Sequence, residues 1–227
     1  AGDALLCYEP EPAVMKRRRL LHLAQLVQSH ALSFFHLSAP DWLLDPSVPS
    51  SERNLFGLLR REPTFARAGL ALRAFGQELI ARLGGRRIHP VAALPGGFVG
   101  QLSAGDRAAV RAELPGAFAA VELAWEHWER RYPLSLGDPL TSLLVGMVTA
   151  DGDWELLAGR LRVVDGAGSV VAEGLDPSRY REFLVEETLA ASRMKSAHFG
   201  SLGPEAGSYR VGPVARLAVC RRIGTPR

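Results

Sequence analysis

At about Leu143 the hydrophobic period of this chain changes, and no other feature narrows the possible folds as much. Upstream, apolar residues return every three or four positions, which puts them on one side of an α-helix. Downstream, they gather in short apolar or β-branched runs broken by turn residues. A chain that is helical first and β later segregates its elements, so the expected fold class is α+β, a mainly helical core with a small antiparallel β meander.

From Pro12 to Leu37 the residues Leu20, Leu23, Val27, Phe34 and Leu37 recur at helical spacing and predict one long amphipathic helix. Its polar stripe runs His22, Gln25, Ser29, Ser33, His36, whereas His30 falls among the apolar positions and is expected to be buried. Pro40, Asp45-Pro46 and Pro49 should end this helix and open a polar loop to about Arg53, because proline donates no hydrogen bond and biases the residue before it toward extended angles. A second helix is expected from Thr64 to Leu83, with Ala68, Leu72, Phe75, Leu79 and Leu83 on one face and Gly84-Gly85 as its stop. Ser103 and Asp106 resemble a capping box and open a helical stretch that Pro115 interrupts before Ala117 to Arg131, with Tyr132-Pro133 closing it.

Beyond Leu143 the runs are separated by Asp151-Gly152-Asp153 and by Asp165-Gly166-Ala167-Gly168, giving a meander over 143–173. Asp176 is a candidate N-cap, and Pro177 suits the first turn of a helix from Ser178 to about Ala191. The expected organisation is helical over 10–132, β over 143–173, and helix with irregular chain over 176–227.

Several function classes find no support. No apolar stretch approaches the ~20 residues that span a bilayer, and the first residues lack the basic-then-apolar order of a secretory signal, so a membrane partner is not expected and a cytoplasmic location is. Cys7 and Cys220 stand alone, with no CxxC pair, and read as two small buried thiols. The net charge of +3 comes with scattered arginine pairs (Arg60-Arg61, Arg86-Arg87, Arg130-Arg131) but no aromatic interleaving, which argues against nucleic acid. Dinucleotide, phosphate-loop, nucleophile-elbow and zinc-protease motifs are missing, and Pro95-Gly96-Gly97 reads as a tight turn. Ala rather than Met at position 1, and an end on the turn-like Gly224-Thr225-Pro226-Arg227, suggest a piece of a longer reading frame.

Three strings carry a resemblance: QSHALSFFHLSAPDWL at 28–43, LGGRRIHPVAALPGG at 83–97 and YRVGPVARL at 209–217. In that order they resemble the large subunit of nickel-iron hydrogenases, in particular the soluble branch that exchanges electrons with NAD(P). The run from 143 to 171 is similar to the family's insert between those motifs, so the resemblance covers essentially the whole chain. The match departs at 192–198, where SerArgMetLysSerAlaHis replaces a more aromatic version, and at Ala218-Val219-Cys220.

The resemblance implies an incomplete large-subunit domain whose parent oxidises H2 reversibly at a nickel-iron centre. Its expected partners are a small subunit with iron-sulfur clusters and diaphorase-type NAD(P) subunits. The family's ligands are thiolates from an RxCGIC and a DPCxxC motif, soft donors suited to low-valent nickel. Neither motif occurs here, so no metal role passes to Cys7 or Cys220, and the chain alone is expected to bind no metal and to be inactive. Asp41 matches the acid of the family's helix-ending motif, which sits over the metals beside a partner arginine; read from the residues alone, it is an acid stopping a helix. His89 matches a family histidine near the centre, able either to relay protons or to bond a loop carbonyl. A rival expectation is a non-catalytic homologue that keeps the fold as an assembly scaffold, as in complex I's quinone-site subunit.

Overall fold

The computed structural model describes residues 2–131 and 142–223; the expected stops at Tyr132-Pro133 and at residues 224–227 lie outside the described residues. The chain divides into two compact units, Ala1–Leu134 and Ser135–Arg227.

The first unit is helical. A short α1 (Gly2–Leu5) precedes α2 (Pro12–Ala31), which opens with Pro12 in its first turn, where a missing N–H costs nothing. The helix passes without a break into a π-helical segment, Leu32–Ser38, and then into α3 (Ala39–Leu43). Pro40 therefore does not end the helix as expected. The Ala39 N–H bonds the Phe34 carbonyl five residues back, and this wider turn relieves the clash a proline ring would meet in a regular helix.

The extra residue in the turn also rotates the faces. His36, placed on the polar stripe by its spacing, is buried, and Leu37, placed on the apolar stripe, is exposed. Within α2 the buried line is Leu21, Ala24 and Ala31, one position on from the apolar stripe read in the sequence, which leaves His30 exposed rather than buried.

A helix that sequence reasoning missed, α4 (Leu55–Arg61), is capped by Asn54, whose Oδ1 accepts from the Phe56 and Gly57 amides at 2.9 and 3.1 Å. It leads into α5 (Pro63–Gly84), which packs along α2 and the π segment. Two glycines set that approach. A methyl group on Gly69 would collide with the Phe35 side chain, and one on Gly76 would lie 2.8 Å from the Gln28 amide nitrogen. Gly85 takes φ 74° and stops α5, since the left-handed region suits glycine.

A small hairpin comes next, β1 (Ala93–Leu94) with β2 (Gly97–Phe98), tied down by Arg18. The guanidinium binds Asp3 at 2.5 and 3.1 Å and the carbonyls of Leu94 and Gly97 at 2.7 and 3.0 Å. The first unit closes with α6 (Ala104–Arg131), whose start is a reciprocal capping box: Ser103 Oγ accepts from the Asp106 amide, and Asp106 Oδ2 accepts from the Ser103 amide, both at 3.0 Å. Pro115 does not interrupt α6. Its neighbourhood from Arg111 to Gly116 is exposed, so water can take the carbonyl that loses its bond. The core joins Ala31, Phe35, Leu58, Phe65, Ala120 and Ala124, and a second cluster gathers Leu21, Leu79, Ile80, Leu83 and Phe98.

The second unit holds β3 (Leu143–Val148), β4 (Arg160–Val164) and β5 (Val170–Leu175) as an antiparallel meander. From Pro177 to Glu182 the chain forms a 3₁₀ segment, capped by Asp176 Oδ1 accepting from the Ser178 amide at 2.9 Å. The helix expected to Ala191 does not continue. Leu184–Thr188 instead becomes β6 and pairs with β7 (Lys195–Phe199), so a partner distant in sequence satisfies a backbone that local signals assigned to helix. After α7 (Gly203–Ala206), β8 (Tyr209–Arg210) joins β3 in parallel, making the four-stranded sheet mixed in the order β5-β4-β3-β8 rather than purely antiparallel. The last described element, α8 (Pro213–Val219), crosses β3 at Gly146, where a side chain would collide with Val219. The region 176–223 is thus β, short helices and turns rather than helix and irregular chain.

Candidate functional site

The string from Gln28 to Leu43 spends most of its residues on packing. Phe34, Phe35 and Trp42 form an aromatic cluster with Phe65, the Phe35 and Phe65 rings lying 4.8 Å apart and those of Trp42 and Phe65 meeting edge to face at 5.9 Å. Asp41 stays outside. It occupies the first turn of α3, its side chain is 70% exposed, and its nearest cation is Arg53 at 3.9 Å, an exposed pair worth little by itself.

His36 is the buried titratable group of this string. The residue is 8% exposed, and its Nε2 finds no hydrogen-bond partner among the described residues. Burial, and then the nearby charge of Arg73, hold its pKa below the ordinary histidine value, which keeps the ring neutral. The Nε of Arg73, on α5, is likewise enclosed, with no hydrogen-bond partner among the described residues.

The string after α5 builds a tight return. Gly84 lies against Pro90, the Val91 amide bonds the Gly84 carbonyl at 3.3 Å, and His89 holds φ 51°, a conformation uncommon for a residue with a side chain. His89 lines a cavity of about 250 Å³ together with Gln25, Gln28, Arg73, Gln77 and Arg87. Every charged lining residue is basic. Arg87 is tethered by Glu78 at 3.1 Å, and Glu78, held by Arg87 and Arg82, has its carboxyl below the usual range. Asp41 is not among the residues that line this cavity.

The sequence places His36 on the polar stripe, and Arg73 is the residue it does not single out. A signal was present: Gln25 with Gln28, and Arg73 with Gln77, are polar pairs at helical spacing on two helices that otherwise face each other with small and apolar residues.

The thiols offer no nickel-iron donor set. Cys7 is exposed in the first unit, and Cys220, in the second, is half-buried with its Sγ donating to the Leu217 carbonyl at 3.4 Å. Among the described residues no three His, Cys, Asp or Glu side chains gather as metal ligands would. The residues present do not fit such a centre, and no chemical step is assigned through it. Among the same residues no helix is long and apolar enough to cross a membrane.

No family model matches the chain. It is 32% identical over 225 residues to the vhu A-subunit of the F420-non-reducing hydrogenase of Methanocaldococcus jannaschii, covering 96% of this chain and 52% of that one. It is 30% identical over 226 residues to the beta subunit of the NAD-reducing hydrogenase HoxS of Cupriavidus necator, covering 95% of this chain and 46% of the relative. The solved NAD+-reducing [NiFe]-hydrogenase in the H2-reduced state superposes with a TM-score of 0.87 at 38% identity, over 96% of this chain and 49% of that chain. The chain spans about half the length of the curated relatives it matches.

Proposed function

Since its homologues are hydrogenase subunits, we propose that this chain is the central part of the large subunit of a nickel-iron hydrogenase, an oxidoreductase that oxidises H2 reversibly and passes electrons through iron-sulfur partner subunits to NAD(P). The observation that carries this reading is the joint match of fold and sequence to the NAD+-reducing enzyme, at 38% identity and a TM-score of 0.87 over 96% of the chain. In this account the 227 residues supply framework and surroundings, and the thiolates come from segments these residues do not contain.

Two residues are proposed as positioning groups for that centre. Asp41 keeps its carboxylate largely free at the surface of the first unit, where it can hold an arginine from another segment. His89 stands at the mouth of a basic cavity on a backbone turn that fixes where its ring emerges. The test begins with the coding sequence on either side of this chain: CGIC before it and DPCxxC after it support the enzyme, and reading frames without them leave the scaffold homologue. Nickel content and H2 uptake of the complete gene product, matured with its accessory proteins, then decide the activity.

A further inference from the structure

The cavity between α2, α5 and the loop that carries His89 has a chemistry of its own. Arg73, Arg87 and His89 line it with three glutamines, and no carboxylate is among the lining residues. Arg73 comes from the middle of α5 and lines the cavity, while its Nε is closed off from solvent with no hydrogen-bond partner among the described residues. A guanidinium that lines a cavity without a carboxylate is matched best by a charge-assisted bond to an oxyanion. Arg87 is steadied by Glu78 on the outer side, so the cavity keeps two cations of differing exposure. The amides of Gln25, Gln28 and Gln77 add neutral donors. At about 250 Å³ the space is below the ~300 to 1,000 Å³ of pockets that take drug-sized ligands, which suits a group of a few heavy atoms.

We propose that this cavity is a carboxylate-binding site, with Arg73 as the inner cation, Arg87 as the outer one and the glutamine amides fixing orientation. The carboxylate belongs either to a free small acid or to an acidic side chain of an associated protein segment. Both present the same planar oxyanion to the guanidinium fork. This assignment is independent of the nickel-iron reading, since it uses only side chains of this chain.

The test is a titration of the full 227-residue chain with sodium acetate, and separately with N-acetyl-Gly-Glu-Gly-amide, against NaCl at constant ionic strength. The readouts are the Arg73 Nε–H and His89 ring resonances. Saturable shifts with acetate support the site and identify a free acid; saturation with the peptide alone supports it and identifies a side chain. Arg73→Gln should weaken binding about tenfold or more, the loss expected on deleting a charge-assisted hydrogen bond. Arg87→Gln, at the exposed mouth, should weaken it less, and carries the test if Arg73→Gln fails to fold. Arg67→Gln, on the exposed side of the same helix, should change nothing. Shifts that match NaCl with both probes, or saturation that survives both cavity substitutions, overturn the proposal.

Discussion

Gly76 of α5 and Gln28 of α2 approach so closely that a β-carbon on the glycine would stand 2.8 Å from the glutamine amide nitrogen. The contact is backbone against backbone, so it cannot be relieved by turning a flexible side chain. It also brings Gln28 beside Gln77 and Arg73, and so forms the cavity as well as the helix pair.

Gly76→Ala should therefore destabilise the chain by about 1–3 kcal/mol, the usual cost of overpacking a tight core contact. Chemical denaturation of the wild type and the variant, compared at equal slope, measures it. An unchanged midpoint would mean that the two helices can separate at no cost.

The Asp3–Arg18 pair gives a prediction about acid. Hydrogen bonds from Arg18 and from the Gly96 amide hold the Asp3 carboxyl down to about 2, against 3.8 for a free aspartate. A carboxyl lowered in the folded state stabilises it above the free value, and the contribution is lost as pH falls from 3.8 toward 2. The melting temperature of wild type should exceed that of Asp3→Asn at pH 5, and the two should converge at the acid end. A constant gap would show that Asp3 acts through something other than its charge.

His36 gives the opposite handle, a base kept neutral. Its folded pKa is depressed below 6.5, so the unfolded chain takes up more protons as pH falls below that value, and stability declines through that window. His36→Phe removes both the titration and the enclosed Nε2, so the decline in stability between pH 7 and 5 should become shallower, with no loss at neutral pH. Equal slopes for wild type and variant between pH 7 and 5 would contradict this.

The fold's legibility in the sequence varies with the range of the forces involved. The stop at Gly85 and the capping box at Ser103 and Asp106 are local, closed within a few residues, and were readable. The faces of 32–38 were not, because one wide turn after Ala31 exchanges His36 with Leu37, and a strict 3.6-residue period cannot anticipate it; in α2 the buried line is off by one position before that turn begins. The stretch from Leu184 to Thr188 was misread for a different reason: Asp176 does cap a turn, but pairing with Lys195–Phe199 decides the conformation of the residues beyond it. Of the site, Asp41 and His89 came through resemblance, whereas Arg73 needs the packing of two helices to acquire its setting.

In the complete enzyme, Asp41→Asn should slow H2 turnover while leaving the metals bound. An arginine paired with Asp41 in a closed setting would lose its counter-charge, and breaking such a buried pair costs about 3–5 kcal/mol, enough to disturb nearby geometry. Activity per nickel, read beside melting temperature on one preparation, separates this from a purely structural role. Normal turnover per nickel with a lowered melting temperature would remove Asp41 from the functional residues.

These residues are proposed to frame a nickel-iron centre supplied with thiolates from elsewhere in the same large subunit. The most direct measurement is elemental analysis with H2-dependent NAD(P) reduction on the complete gene product, matured with its accessory proteins and purified with its partner subunits. Stoichiometric nickel in the large subunit is expected, together with reduction of the nucleotide that requires H2. A folded, assembled complex without nickel and without H2 uptake would contradict it.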